Sequence, residues 1–197
     1  MNDALSHAVL AQAFFEARST SKFTEQSVSE ETLTALYDLA KWGPTAFNCQ
    51  PMRLVFVRSA AGKAKLAEAL MPANVAKTLA APVTAIVALD TQFYEQLPSQ
   101  FPANPAARDL FANNPALAQE AGMRNGSLQG GYLMIAARLL GLACGPMSGF
   151  NPAKLNEAFF ADGRWKANFL CNLGYGDAAG NHPRGPRLGI AQAVRFE

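Results

Sequence analysis

The chain has 197 residues, of which 50% are hydrophobic and 16% are charged, and its formal net charge is +2. This length favours a single domain over residues 1–197, and the composition is that of a globular protein rather than a disordered chain. The small net charge gives no support for a nucleic-acid-binding protein or for binding to an anionic membrane.

The three cysteines, Cys49, Cys144 and Cys171, are scattered along the chain. They form no CxxC pair and only two histidines accompany them, so neither a disulfide framework nor a metal site is expected. The N-terminal segment lacks the basic and apolar regions of a signal peptide, and no stretch reaches the roughly 20 apolar residues of a spanning helix. We therefore expect a soluble, cytoplasmic protein with reduced thiols.

The first half of the chain predicts two helices and then two strands. The first helix is expected from about Leu5 to Ala17, with Phe14 and Phe15 as bulky anchors. The second begins near Ser29, has acidic residues in its first turn, and ends at Gly43-Pro44. Helical spacing predicts that its buried face comprises Leu33, Leu36, Tyr37 and Ala40.

Two continuous apolar runs, 54–57 and 83–89, predict strands covered on both faces. Helical segments are expected between them at 62–70 and 74–79. The following segment is rich in proline and aromatic residues, and we expect it to be a lid-like insertion at about residues 91–119.

The second half predicts a long helix at 116–140 and a strand at 168–174. The apolar stripe of the helix is predicted to consist of Leu128, Tyr132, Ile135 and Leu139. Gly130-Gly131 in the middle costs about 1 kcal/mol per glycine relative to alanine, which suggests a close contact there. Gly141 ends the helix, and the tail after Gly180 is expected to pack on a partner subunit. The alternation of helices and strands indicates a layered α+β or α/β domain.

Side-chain catalysis has little support in this sequence. No GxGxxG or GxxxxGK[ST] motif is present, two distant histidines make a catalytic triad improbable, and the carboxylates do not cluster. By elimination, demanding chemistry would fall to an organic cofactor.

Five local sequences occur in order along nearly the whole chain. They are Ala-Arg-Ser at 17–19, Lys-Trp-Gly-Pro-Thr-Ala-Phe-Asn-Cys-Gln-Pro at 41–51, Asn-Val-Ala-Lys at 74–77, Gly-Leu-Ala-Cys-Gly-Pro-Met-Ser-Gly-Phe at 141–150, and Asn-Leu-Gly-Tyr-Gly at 172–176 followed by Pro-Arg-Leu at 186–188. Their order and spacing resemble the nitroreductase family. Within it the chain is similar to the malonic semialdehyde reductases of pyrimidine (uracil) degradation.

The resemblance implies a three-layer α+β fold, with a central, mostly antiparallel sheet flanked by helices and a C-terminal tail exchanged across a homodimer. It also implies FMN at the dimer interface and NAD(P)H as electron donor. Hydride would pass through flavin N5 to a small aldehyde acid, converting malonic semialdehyde to 3-hydroxypropanoate. The alternatives are a general nitro/quinone reductase, a non-catalytic flavin-binding protein, and an interaction domain without a cofactor.

The resemblance also implies four groups of cofactor-binding residues and leaves the catalytic residues unknown, because the flavin itself carries the hydride. The residues implied to hold the FMN phosphate are Arg18, Ser19, Ser21, Arg184 and Arg187. The loop implied to reach the flavin of the other subunit contributes Pro44, Thr45, Ala46 and Asn48. Asn74 and Lys77 would contact the edge of the flavin ring, and Pro146, Met147, Ser148 and Gly149 would lie on its N5 side. Arg108 and Arg124 are candidates for the substrate carboxylate.

Each assignment has a structural alternative. The arginines are also typical of a solvated surface, and the Gly-Pro loop of an ordinary helix end. Asn74 could cap a helix, and Met147 could fill the core.

Overall fold

The structure is a computed structural model that describes residues 3–197. Its helices are α1 His7–Leu10, α2 Glu30–Ala40, α3 Ala60–Ala67, α4 Pro72–Ala80, α5 Leu97–Gln100, α6 Ala107–Ala112, α7 Pro115–Leu139, α8 Pro152–Phe159 and α9 Ile190–Ala193. Its strands are β1 Met52–Val57, β2 Val83–Asp90, β3 Ala143–Met147 and β4 Trp165–Gly174. A π-helical turn at Ala11–Phe15 continues α1, and 3₁₀ turns lie at Ala46–Asn48, Phe93–Gln96 and Ala178–Gly180.

The four strands form one antiparallel sheet in the order β1-β2-β4-β3. In the central pair, Val83 lies opposite Leu173 and Asp90 lies opposite Trp165, with an irregularity between Val87 and Ala88. The predicted α+β fold with a central antiparallel sheet is therefore confirmed. Strand β3 begins at Ala143, in a segment for which the sequence predicted no strand.

Helices cover both faces of this sheet and make three layers. On one face, α2 and α7 pack on alternate residues of β2 such as Ala85 and Val87. On the other face, α3 and α8 pack on Ile86 and Ala88. The period of two along a strand separates these neighbours onto opposite faces. Burial on both sides explains why β2 reads as a continuous apolar run.

Helix α2 begins where its local sequence predicts. The Ser29 hydroxyl accepts a hydrogen bond from the backbone N–H of Thr32 at 3.1 Å, which caps the helix. Leu33, Leu36 and Ala40 are buried as expected, but Tyr37 is exposed. The prediction that Tyr37 belongs to the buried face was therefore wrong.

Helix α7 buries a different face from the one predicted. Leu128, Tyr132 and Leu139 are each more than 40% exposed. The face against the sheet carries mainly small and amide residues, namely Gly122, Asn125, Gly126, Gln129, Gly130, Leu133, Ala136 and Ala137. A Cβ on Gly130 would lie 2.5 Å from the Phe169 ring, so small residues permit the close approach that bulky ones would prevent.

The first helical segment also differs from its prediction. It spans His7–Leu10 and the π turn Ala11–Phe15 rather than 5–17. Phe14 and Phe15 are exposed and do not anchor it; the small residues Ala11 and Ala13 are buried instead. Phe15 stacks on the His7 ring at the surface, and neither aromatic side chain enters the core.

The region predicted as an insertion contains the short helices α5 and α6. Phe93, Leu97 and Phe111 form a separate apolar cluster there with Cys49 and Ala121. Among the helices that the structure describes, none combines the length and apolar character needed to cross a membrane.

Candidate functional site

Four arginines from three distant parts of the chain converge on one cavity of about 330 Å³. Arg18 follows the first helical segment, Arg138 lies in the last turn of α7, and Arg184 and Arg187 lie in the tail. Ser19 also lines this cavity, and none of its lining residues is acidic. Arg18, Arg184, Arg187 and Ser19 were predicted to bind the FMN phosphate, whereas Arg138 was not.

The guanidinium groups of this cluster are held by backbone carbonyls rather than by carboxylates. Arg184 Nη2 donates to the carbonyl oxygens of Phe14 at 3.0 Å and Ala17 at 2.8 Å, and Arg138 Nη1 donates to that of Ala13 at 2.9 Å. Within residues 3–197, none of the four arginines forms an ion pair with an acid.

Two observations indicate that this cluster suits an anion. Desolvation, followed by the positive charges of Arg18, Arg187 and Arg138, lowers the pKa of Arg184. In addition, Arg138 Nε is buried and has no hydrogen-bond partner in the described part of the chain. An anion would relieve the repulsion between the cations, and guanidinium donors match phosphate oxygens in geometry.

The serines beside the cluster differ in role. The Thr20 N–H donates to the Cys144 carbonyl at 2.8 Å, which fixes this segment against β3. Ser19 is exposed, whereas the Ser21 hydroxyl donates to the Gly180 carbonyl at 3.1 Å and does not line the cavity. The structure thus brings Ser19, but not Ser21, to the arginine cavity.

Asn74 and Gly149 meet where α4 contacts the segment after β3. The buried Asn74 amide donates to the Gly149 carbonyl at 2.8 Å. A Cβ on Gly149 would lie 2.5 Å from Asn74 Nδ2, so glycine is required for this approach. The N-cap of α4 is Met71, and the interpretation of Asn74 as a helix cap was therefore wrong.

A buried polar network supports the other end of α4, where Lys77 lies half-buried. Lys63 is 4% exposed, and its Nζ donates to the Thr78 carbonyl at 2.8 Å and to Thr84 Oγ1 at 2.6 Å. Desolvation lowers the pKa of Lys63 to about 8. The ammonium group lies at the helix C-terminus, where carbonyl groups and the helix dipole favour positive charge. It thereby stabilises the helix that carries Asn74 and Lys77.

The segment Pro146–Gly149 combines buried and accessible parts. Met147 lies in the apolar cluster beneath the sheet, with its sulfur 3.6 Å from Thr78 Oγ1. Its side chain therefore fills the core, as the structural alternative proposed. Ser148 is exposed and Gly149 is half-buried, so the backbone after Met147 is the part that can contact a ligand.

The loop from Pro44 to Pro51 holds an uncommon backbone conformation. Phe47, Asn48 and Gln50 have φ angles of 54°, 50° and 40°, in the left-handed region that favours glycine. Such strain is concentrated at functional sites. Within the part of the chain that the structure describes, no hydrogen bond joins this loop to the arginine cluster or to α4.

The two proposed substrate arginines are neutralised by neighbours on the surface. Arg108 lies 2.7 Å from Asp109, and Arg124 pairs with Glu120 one turn earlier in α7. Neither lines the cavity of about 440 Å³ between α6, α7 and the sheet. The structure does not bring them together, and their role in binding a carboxylate stays a prediction.

Sequence reasoning missed Arg138 and the amides Asn125 and Gln129 of α7. Arg138 resembles any cation in the last turn of a helix. A buried Asn and Gln one turn apart on an otherwise small-residue face was the available signal for the other two, because buried amides require hydrogen-bond partners.

Fold and site together define a three-layer α+β protein with an acid-free cavity lined by four arginines. The sequence profile of the nitroreductase family matches residues 15–175. This chain belongs to the nitroreductase family.

Relatives agree with this assignment along the full length of the chain. A protein of Ralstonia nicotianae is 53% identical over 191 residues, covering 97% of each chain, and one of Xanthomonas oryzae pv. oryzae is 55% identical over 197 residues, covering 100% of each. Both are named as candidate NADH dehydrogenase/NAD(P)H nitroreductases. A nitroreductase-type structure from Exiguobacterium sibiricum, solved in complex with FMN, has a TM-score of 0.85 at 22% identity and covers 100% of this chain and 99% of its own.

Proposed function

We propose that this protein is an NAD(P)H-dependent flavin oxidoreductase that binds FMN. The observation that carries the proposal is the acid-free cluster of Arg18, Arg138, Arg184 and Arg187, in a chain that belongs to the nitroreductase family. The nicotinamide donor is supported by the names of the relatives, and FMN by the complex from Exiguobacterium sibiricum.

The residues present fit the parts of FMN. Arg18, Ser19, Arg184 and Arg187 would hold the phosphate, while Asn74 and Lys77 of α4 would hold the edge of the ring. The backbone at Pro146, Ser148 and Gly149, of which Ser148 is exposed, would face the ring on its other side. When bound, FMN supplies the acceptor and donor of hydride that the side chains lack. Lys77 would stabilise negative charge at the ring edge.

A homodimer accounts for the parts of the predicted site that one chain leaves apart. Pro44, Thr45, Ala46 and Asn48 do not line the arginine cavity and, among the described residues, share no hydrogen bond with its arginines. We propose that they reach the cofactor of the partner subunit. Residues 181–197 are exposed, including Leu188 and Phe196. Exposed apolar residues in a tail are consistent with packing on a second subunit.

For the substrate, we propose malonic semialdehyde, reduced to 3-hydroxypropanoate. The support is the resemblance of runs such as Gly-Pro-Met-Ser-Gly-Phe to the malonic semialdehyde reductases. A general nitro/quinone reductase is the second candidate, and the names of the relatives are consistent with it. The same cofactor site serves both reactions, since the fold does not determine the substrate.

The cofactor proposal predicts a specific effect of Arg187→Ala. Apoprotein should bind FMN more tightly than riboflavin, which lacks the phosphate. Loss of one charge-assisted contact of about 1.5–3 kcal/mol should weaken FMN binding at least about tenfold and leave riboflavin binding unchanged. Flavin fluorescence titration measures both. Arg195→Ala is the matched control, because Arg195 is also exposed in the tail but does not line the cavity.

Wild-type protein that binds riboflavin and FMN equally would overturn the phosphate assignment.

For the substrate, anaerobic NADPH and NADH should first bleach the visible absorption of the bound flavin. Oxidation of the donor is then compared with malonic semialdehyde, a nitroaromatic compound and a quinone. Turnover of only the last two would overturn the aldehyde acid, and failure of both donors to bleach the flavin would indicate a non-catalytic flavin-binding protein.

A further inference from the structure

The strained loop at Pro44–Pro51 needs external support to keep its shape. Three of its non-glycine residues have positive φ angles, a conformation that persists only when the surroundings impose it. Inside the loop, Thr45 Oγ1 accepts from the Gln50 N–H at 3.2 Å, and Cys49 is buried in the cluster around Phe93. The Phe47 ring also packs edge-on against Phe101 and Phe111, but these ring contacts do not hold the backbone N–H of Ala46.

Helix α7 supplies that support through two buried amides. Asn125 is 3% exposed; its Oδ1 accepts from the Ala46 N–H at 2.8 Å, and its Nδ2 donates to the Ala121 carbonyl at 2.8 Å. Gln129, one turn later and also 3% exposed, accepts at Oε1 from the Met52 N–H at 3.0 Å. The two amides thus hold the chain at both ends of the strained residues.

The helix lies close to the loop between these two bonds. A Cβ on Gly126 would collide with the Leu89 side chain and would lie 3.9 Å from Pro51. On its outer side the loop bonds to the exposed Gln100 of α5: Asn48 Nδ2 donates to the Gln100 backbone carbonyl at 2.9 Å, and Gln50 Nε2 donates to Gln100 Oε1 at 3.2 Å. Helix α7 packs on the sheet, so its amides are the rigid side of this arrangement.

We propose that Asn125 is a positioning residue that holds the loop in the conformation in which it contacts FMN. This inference rests on the proposed function, in which the loop reaches the cofactor of the partner subunit. Without the bond to Asn125 the strained residues relax, and only a fraction of the molecules keeps the binding conformation. The apparent dissociation constant for FMN rises by the reciprocal of that fraction.

A pair of near-isosteric variants separates positioning from general stability. Asn125→Leu removes the acceptor, and we expect FMN binding to weaken at least tenfold. Asn125→Asp keeps an oxygen for the Ala46 N–H in either protonation state, so FMN binding should stay within threefold of wild type even if its melting temperature falls further than that of Asn125→Leu. Fluorescence titration of apoprotein gives the affinity, and thermal unfolding gives the stability.

The control is Asn156→Leu, which removes the same kind of bond elsewhere. Asn156 Oδ1 accepts from the Ala167 N–H at 2.8 Å, and its loss should lower the melting temperature and leave FMN affinity unchanged. If Asn125→Leu does not fold, Ala46→Pro removes the donor from the loop side. Thr45 has φ −139° and ψ 150°, the backbone that precedes proline readily.

A tenfold loss in Asn125→Leu or Ala46→Pro, with Asn125→Asp and Asn156→Leu near wild type, supports the inference. The inference is overturned if Asn125→Leu or Ala46→Pro binds FMN as tightly as the wild type, or if Asn125→Asp loses as much FMN affinity as Asn125→Leu. In either case the proposed function stands as long as the wild-type protein binds FMN. Absence of FMN binding by the wild type would instead overturn the proposed function, and this inference with it.

Discussion

Asp90 shows how a single buried charge ties several segments together. It lies at the end of β2, 3% exposed, with Arg164 Nε 2.5 Å and Arg53 Nη2 2.8 Å from its carboxylate oxygens. Desolvation alone would raise the pKa of Asp90, but the hydrogen bond from Arg164, that from the Gln92 N–H and the charge of Arg53 lower it below the ordinary 3.8. The carboxylate thereby joins β1, β2 and the segment before β4.

The Asp90→Asn variant should therefore lose stability in a pH-dependent way. At pH 7 we expect a loss of about 2–3 kcal/mol, because Arg53 loses its carboxylate partner and Arg164 keeps only Glu95. The folded-state pKa is lowered, so the contribution is fully present above the unfolded pKa of about 3.9 and disappears as the pH falls through the folded value. Urea unfolding of both proteins at pH 7, 5 and 3 measures the difference. A difference that is constant over this range would contradict the assignment.

Among single residues, Arg138 best shows the limit of local information. Its nearest sequence neighbours give it the ordinary role of a cation at a helix end. Its partner in the fold is the Ala13 carbonyl, 125 residues away in the chain. Only the packing of α7 beside the first helical segment brings it to the arginine cavity.

At the scale of elements, the two adjacent glycines of α7, Gly130 and Gly131, differ in how closely they approach the sheet. A Cβ on Gly130 would lie 2.5 Å from the Phe169 ring and 3.6 Å from Val87, whereas a Cβ on Gly131 would have nothing within 4 Å among residues 3–197. The helix lies on the sheet at Gly130 and turns outward at Gly131. Glycine is therefore needed for packing at position 130, whereas the described part of the chain leaves room for a side chain at position 131.

Substitution by alanine should separate these two positions. Helix propensity favours alanine over glycine by about 1 kcal/mol in a helix interior. Gly131→Ala should gain much of this amount, and Gly130→Ala should be less stable than wild type because overpacking costs about 1–3 kcal/mol. Urea unfolding of the apoproteins ranks them. Gly130→Ala as stable as Gly131→Ala would show that the approach of α7 to Phe169 is not as described.

At the scale of the whole molecule, several large apolar side chains are exposed to solvent on the outward face of α7 and near the loop. Leu128, Tyr132 and Leu139 lie on the outward face of α7, and Trp42 lies beside the loop with 78% of its surface exposed. Contiguous apolar surfaces of this kind mark interfaces. The proposed homodimer would cover this face and bring the loop of one subunit to the cofactor of the other.

The dimer can be tested with two matched substitutions on exposed leucines. Leu128→Glu on α7 should raise the fraction of monomer and lower FMN occupancy, because a buried carboxylate without a partner opposes the interface. Leu110→Glu on α6 should do neither, although Leu110 is 48% exposed and Leu128 is 49% exposed. Sedimentation velocity gives the oligomeric state and the visible absorption gives the occupancy. Dimers of both variants at equal FMN content would refute this interface.

Local sequence determined the parts of this protein that depend on near neighbours. The cap at Ser29 with its acidic first turn placed α2, and the apolar run at 83–89 placed β2, because capping and burial act over a few residues. The five ordered motifs carried the family assignment, which the comparisons confirmed. The cofactor contacts implied by those motifs stay predictions, although the structure brings Arg18, Arg184 and Arg187 to one cavity.

Tertiary structure alone decided which face of α7 meets the sheet and which distant residues meet in the sites. Hydrophobic periodicity favoured Leu128 and Tyr132, but the chain buries Gly126 and Gly130 because the helix approaches the sheet too closely for large side chains. The contact of Asn125 with Ala46 spans 79 residues. No local pattern encodes such a pair, since its geometry depends on the packing of α7, β1 and the loop together.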